Sequence, residues 1–150
     1  MGASGWDYVT EYAGGVEASL AALHARVFAE QFGEGGGHPD LASLWADHEF
    51  MGTQGTHSVL DVTSVRHDPG QEYGTVAPLA ADRVLHHFGT DRPTVAMYEE
   101  AIARAERAMS HEEYVQSLVC EADLGWNGLY VLLYTGEEVT HVGFFGSSGD

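Results

Sequence analysis

The chain has 150 residues, with six arginines, no lysine and twenty-three carboxylates, for a formal net charge of −17. The missing lysine excludes a P-loop, a pyridoxal Schiff base and Ser–Lys hydrolysis, each of which depends on that side chain. Binding to a phosphate backbone needs clustered bases, so nucleic acid and anionic membranes are not expected partners, whereas the field suits a cationic small molecule or peptide.

One domain is expected at this length, and 44% apolar residues suffice for its core. The same charge also fits the coding bias of a GC-rich genome and simple solubility. Cys120 is the sole cysteine, which excludes an intrachain disulfide and a cysteine zinc site. No long apolar run and no basic-then-apolar leader occurs, so a cytoplasmic location is expected. Residues 1–5 read as a disordered or tag-derived start, 6–146 as the domain, and 147–150 as a flexible end.

Trp6, Tyr8 and Tyr12 alternate with Asp7 and Glu11, which predicts a half-buried strand. Val16, Leu20, Leu23 and Val27 recur at helical spacing, predicting a helix over 15–32 that ends before a glycine-rich loop at 33–37. Leu41, Leu44, Trp45 and His48 share a face of a shorter helix, about 39–50. The β-branched run 56–66 predicts a strand, followed by a turn at Asp68-Pro69-Gly70 and a loop over 69–76. Pro78 to Phe88 reads as a helix stopped by Gly89. Val95, Tyr98, Ile102, Ala105 and Met109 make a further helical stripe. Ser110 with Glu113 forms a capping box, which predicts a helix over about 111–122. Leu129 to Thr135 and Val139 to Phe145 form a terminal hairpin around Gly136. The fold expected is α+β, with a mostly antiparallel four-stranded sheet and helices packed on it.

The segment Gly55-Thr56-His57-Ser58-Val59-Leu60-Asp61-Val62 resembles a stretch of a family of small uncharacterised actinobacterial proteins. Gly89-Thr90-Asp91-Arg92-Pro93-Thr94 and the ending Gly143-Phe144-Phe145-Gly146-Ser147-Ser148-Gly149-Asp150 are similar in the same way. The likeness runs over most of the chain. It implies a source and a shared fold, but carries no activity and transfers no functional residue.

His57, Ser58 and Asp61 do not form a local triad on a straight strand. Neighbours alternate faces, and His57 and Asp61 would stand roughly 13 Å apart at about 3.3 Å per residue. His57, Asp61 and His141 are the candidate catalytic residues: two imidazoles for proton transfer near neutral pH and a carboxylate to orient or stabilise charge. The proposal requires the hairpin and the 56–66 strand to lie side by side, with both imidazoles on one hollow. Gly143, on the face of His141, marks a close approach by a ligand or a backbone. Trp126, Tyr130 and Tyr8 are candidate substrate-binding walls, suited to a cation through the faces of their rings.

No metal is expected, because His111-Glu112-Glu113-Tyr114-Val115 fails H-E-x-x-H at its last position. No cofactor is expected either, since no strand–GxGxxG–helix pattern occurs. Two functional expectations follow. The first is a cofactor-independent acid–base enzyme acting on a neutral or cationic small molecule or peptide, as in specialised metabolism. The alternative is a non-catalytic acidic module, immunity or regulatory in kind, that covers a basic partner surface. Self-association is compatible with both.

Overall fold

A computed structural model describes residues 4–32, 38–53, 55–70, 72–122 and 126–148. The expected glycine loop at 33–37 lies outside them. The described residues form five strands: β1 (Ser4–Glu11), β2 (Ser64–Val65), β3 (Thr75–Pro78), β4 (Asn127–Thr135) and β5 (Glu138–Ser148). They make one sheet in the order β1-β5-β4-β3-β2. The helices are α1 (Val16–Phe32), α2 (Leu41–Ala46), α3 (His48–Thr53), α4 (Ala81–Phe88), α5 (Val95–Glu106) and α6 (His111–Val115). The class is α+β, as expected. The sheet, however, is five-stranded and mixed: β1, β5 and β4 run antiparallel, while β4, β3 and β2 run parallel.

The two central strands are apolar on both faces, so the sheet carries two cores. Trp6, Tyr130, Val142 and Phe144 pack under Leu20, Leu23 and Val27 of α1. Their sequence neighbours Leu129, Val131 and Phe145 pack against Tyr98 and Ile102 of α5. A period of two in β4 and β5 meets a period of 3.6 in each helix, which is what the hairpin and the helical stripes require.

Several expectations are corrected. Residues 56–66 do not form a strand; they make a turn, a 3-10 turn at Val59–Asp61 and only the two residues of β2. The expected loop at 69–76 holds the start of β3 (Thr75–Pro78), and Pro78, expected to open a helix, ends that strand instead, so that α4 begins only at Ala81. The helix expected over 39–50 breaks at Asp47, which ends α2 and whose side chain accepts from Phe50 N at 3.1 Å to begin α3. The helix expected over 111–122 stops at Val115, and a separate 3-10 turn covers Val119–Glu121. The Ser110 cap at its start is present, with Ser110 Oγ accepting from Glu113 N, but Glu113 reaches one residue beyond the N-cap amide of a capping box and accepts from Met109 N.

Gly143 is approached by a side chain. A methyl group there would stand 2.6 Å from the ring of Tyr98, a fully buried residue whose hydroxyl donates to the Phe144 carbonyl at 3.1 Å. Trp6 uses the same device on the other face, its indole lying across Gly128 and Gly146 while Nε1 donates to Ser148 Oγ at 3.2 Å. Replacing Gly143 by alanine therefore overpacks the core. Gly143→Ala is expected to lower stability by about 1–3 kcal/mol, read as a drop in the urea unfolding midpoint with an unchanged m-value.

Candidate functional site

Asp61 organises the segment that the sequence marks most strongly. Its Oδ1 accepts from Thr56 N at 2.7 Å and from Thr56 Oγ1 at 2.9 Å, and its Oδ2 accepts from His57 N at 2.9 Å. The carboxylate is buried at 7% exposure, so these three donors replace its water. The 3-10 turn's carbonyls are also held: His24 Nε2 donates to Val59 O at 3.1 Å, and Trp45 Nε1 donates to Leu60 O at 2.8 Å. Burial holds the His24 imidazole below its ordinary pKa, and hydrogen bonds to the Val59 and Val62 backbone offset part of that effect.

His57, Asp61, Trp126 and Tyr8 are brought into one neighbourhood. The His57 ring stands 6.1 Å from the Trp126 ring, and both residues adopt left-handed backbone, with φ of 54° and 65°. Burial raises the Tyr8 phenol's pKa, while hydrogen bonds from the Val59 backbone and Ser58 hold it back. Asp61 meets the His57 amide, not the imidazole, and both its oxygens are occupied. It therefore orients a backbone turn rather than a base.

His141 lies elsewhere. Trp126 N donates to Ser147 O at the end of β5, and His141 is six residues back along that strand, about 20 Å at 3.3 Å per residue. The structure does not bring His57 and His141 onto one hollow. His141 Nδ1 contacts Thr140 Oγ1 at 3.0 Å. Tyr130 packs 6.3 Å from Phe144, its phenol raised first by burial and then by Glu17 and Tyr12.

Tyr130 also borders a cleft of 250 Å³ that none of the histidines lines. The cleft exists because β3 ends while β4 continues. Leu79 N donates to Tyr130 O, and the next ladder contact of β4 on that side is Tyr134 N to Pro93 O at 2.8 Å. The register turns the N–H and C=O of Leu132 toward the gap between them, and among the described residues neither has a partner. Leu79, Val84 and Pro93 supply apolar wall, Tyr134 an aromatic one, and Asp91 is the one carboxylate among the described residues of the lining. Arg92, bonded to Glu137 at 3.3 Å, ties the loop before Pro93 to the hairpin turn. Sequence reasoning missed Asp91, Leu132 and Tyr134 as a group because the gap depends on where β3 stops.

A second charged cluster joins α4 to the turn at Val119–Glu121. Glu121 Oε2 accepts from Arg83 Nε at 2.9 Å and from His87 Nε2 at 2.7 Å. Burial raises the Glu121 pKa, but Arg83 and then His87 outweigh it and hold the group low. Among the described residues no three His, Cys, Asp or Glu side chains are grouped to hold a metal ion, and no helix is long and apolar enough to cross a membrane. Compared with protein-family models, curated proteins and solved structures, the chain matches none.

Two outcomes follow for the Asp61 turn. Asp61→Asn keeps one acceptor but turns an NH2 group toward an amide donor; it is expected to cost about 2–3 kcal/mol in chemical denaturation, the range for a hydrogen-bonded charge. His24, neutral when folded and free to protonate when unfolded, gives stability that is complete above about pH 6.5 and falls as the pH drops below it. Between pH 7.5 and 5.5 the native protein should therefore lose more stability than His24→Gln, which keeps an N–H donor and cannot charge.

Proposed function

We propose that the protein binds a small organic molecule, neutral or carrying an amine, in the cleft at the open edge of β4. The observation that carries this reading is the gap at Leu132, where an unpaired backbone donor and acceptor face an apolar hollow with one carboxylate at its rim. Unpaired main-chain groups beside apolar surface are satisfied by water or by a ligand, and a ligand that offers both a donor and an acceptor replaces two waters at once. Tyr134 in the lining supplies an aromatic ring of the kind that attracts a cation, and Asp91 adds an exposed countercharge. The volume of 250 Å³ limits the ligand to the lower end of metabolite size.

Binding is favoured over acid–base turnover because His57, Asp61 and His141 do not converge at this cleft, and both Asp61 oxygens are engaged by backbone amides of its own turn. Phenylalaninamide, an ammonium whose carboxamide offers both a donor and an acceptor, and its carboxylate counterpart benzylmalonate monoamide test the proposal by NMR titration. Phenylalaninamide should shift the Leu132 and Tyr134 amides, and the carboxylate should bind more weakly. Asp91→Asn should weaken the ammonium ligand about threefold, the scale of an exposed ion pair, and leave the carboxylate unweakened. Tyr134→Ala should weaken both. Absence of shifts at Leu132 with either probe, or shifts confined to another surface, overturns the proposal.

A further inference from the structure

The outer margin of β1 is open along its length. Tyr12 N donates to Thr140 O, and with the β1–β5 register this turns the N–H and C=O of the even residues toward β5. The odd residues Gly5, Asp7, Val9 and Glu11 point their backbone groups outward, and β1 ends the sheet. None of those outward groups has a hydrogen-bond partner among the described residues. This is four donors and four acceptors in a straight row, the template that an added strand completes.

The charges beside that row give the occupant its sign. A trough of 450 Å³ runs between β1 and α5, with Tyr98 and Ile102 in its lining. Asp7, Glu99 and Glu106 line it with Arg26 as the one base among the described residues of the lining, and Glu11 continues the negative row along β1. Burial raises the Asp7 pKa, and repulsion by Glu106 raises it further. Charge opposes a second copy in two antiparallel registers: pairing centred on Asp7 or on Val9 sets Asp7 against its own copy or against Glu11, and like charges directly opposite are destabilising. Pairing centred on Tyr8 sets Asp7 opposite Val9 and lacks that repulsion, so the mass of the free protein is the control for it.

We infer that the β1 margin docks an extended basic segment of a partner protein, which adds as a sixth strand and sets arginine or lysine side chains over Asp7, Glu11, Glu99 and Glu106. Main-chain bonds to Gly5, Asp7, Val9 and Glu11 hold the segment, and its alternate side chains fall on the acidic trough. This surface is separate from the β4 cleft, so neither reading depends on the other.

The probe is a fluorescein-labelled ten-residue peptide alternating arginine and threonine, with an alternating glutamate–threonine peptide beside it. Fluorescence anisotropy on the full chain should show binding of the arginine peptide alone. Hydrogen exchange should show new protection at the amides of Asp7, Val9 and Glu11, with Tyr8 and Thr10 already protected by β5. Val9→Pro removes an N–H that the sheet does not use, a substitution edge strands tolerate, and should abolish that protection. Asp7→Asn with Glu106→Gln should weaken binding at least about fivefold; this pair keeps the test decisive should the proline variant not fold. Arginine-peptide binding that leaves the β1 amides unprotected, or that survives the charge changes, overturns the inference. Protection of those amides with a doubled mass in the absence of peptide also overturns it, by assigning the margin to a second copy.

Discussion

The hydrogen-bonding parity of β5 is the constraint from which the open backbone edges follow. Its even residues bond to β1 and its odd residues to β4, because a strand offers its backbone groups to alternate sides. Once Thr140 is committed to Tyr12, the odd residues of β1 must face solvent, and the even residues of β4 must face β3. The open groups at Leu132 and at the β1 margin are two consequences of one register. Side-chain parity follows the same count, which is why Phe144 and Phe145 serve different cores. A one-residue slip would exchange the cores and close neither edge.

The turn at 55–62 is held by different means. Its backbone groups have no ladder to join, so side chains take their place: Asp61 for two amides, His24 and Trp45 for two carbonyls. Those partners come from α1, α2 and the turn itself, and the turn locks the helices over one face of the sheet. Chemistry-bearing residues gathered in one short stretch can thus be explained by structure. Asp61 has the position of a catalytic group and the bonds of a cap.

The sequence was most readable where one period ran uninterrupted. The helices α1 and α5, the terminal hairpin, the left-handed Gly89 and the Ser110 cap all rest on local patterns and are present, although α5 ends at Glu106 and leaves Met109, the last of its expected stripe, exposed. The run at 56–66 misled because Thr, Ser and Asp bond their own backbone in competition with a ladder, and that competition outweighed the β-branched Val59, Val62 and Val65. β3 escaped notice because four residues, Thr75–Pro78, are too few to show a period, and their pairing is parallel and distant in sequence. The Leu132 gap was hidden with it. Tyr130 could be chosen as a wall from its place on a strand, whereas Asp91 and Tyr134 become its neighbours only once the loop before Pro93 is pinned to β4.

The contact between Trp6 and Ser148 spans 142 positions. β1 is made first and waits for a partner that is translated more than a hundred residues later, while β4 and β5 zip together within a single hairpin. Closure of so long a loop costs entropy before any bond rewards it, so the topology favours slow assembly. On a ribosome, β1 would remain unpaired until β5 emerges from the exit tunnel. Over that interval its acidic alternation discourages aggregation, giving Asp7 and Glu11 a second use before the molecule is complete.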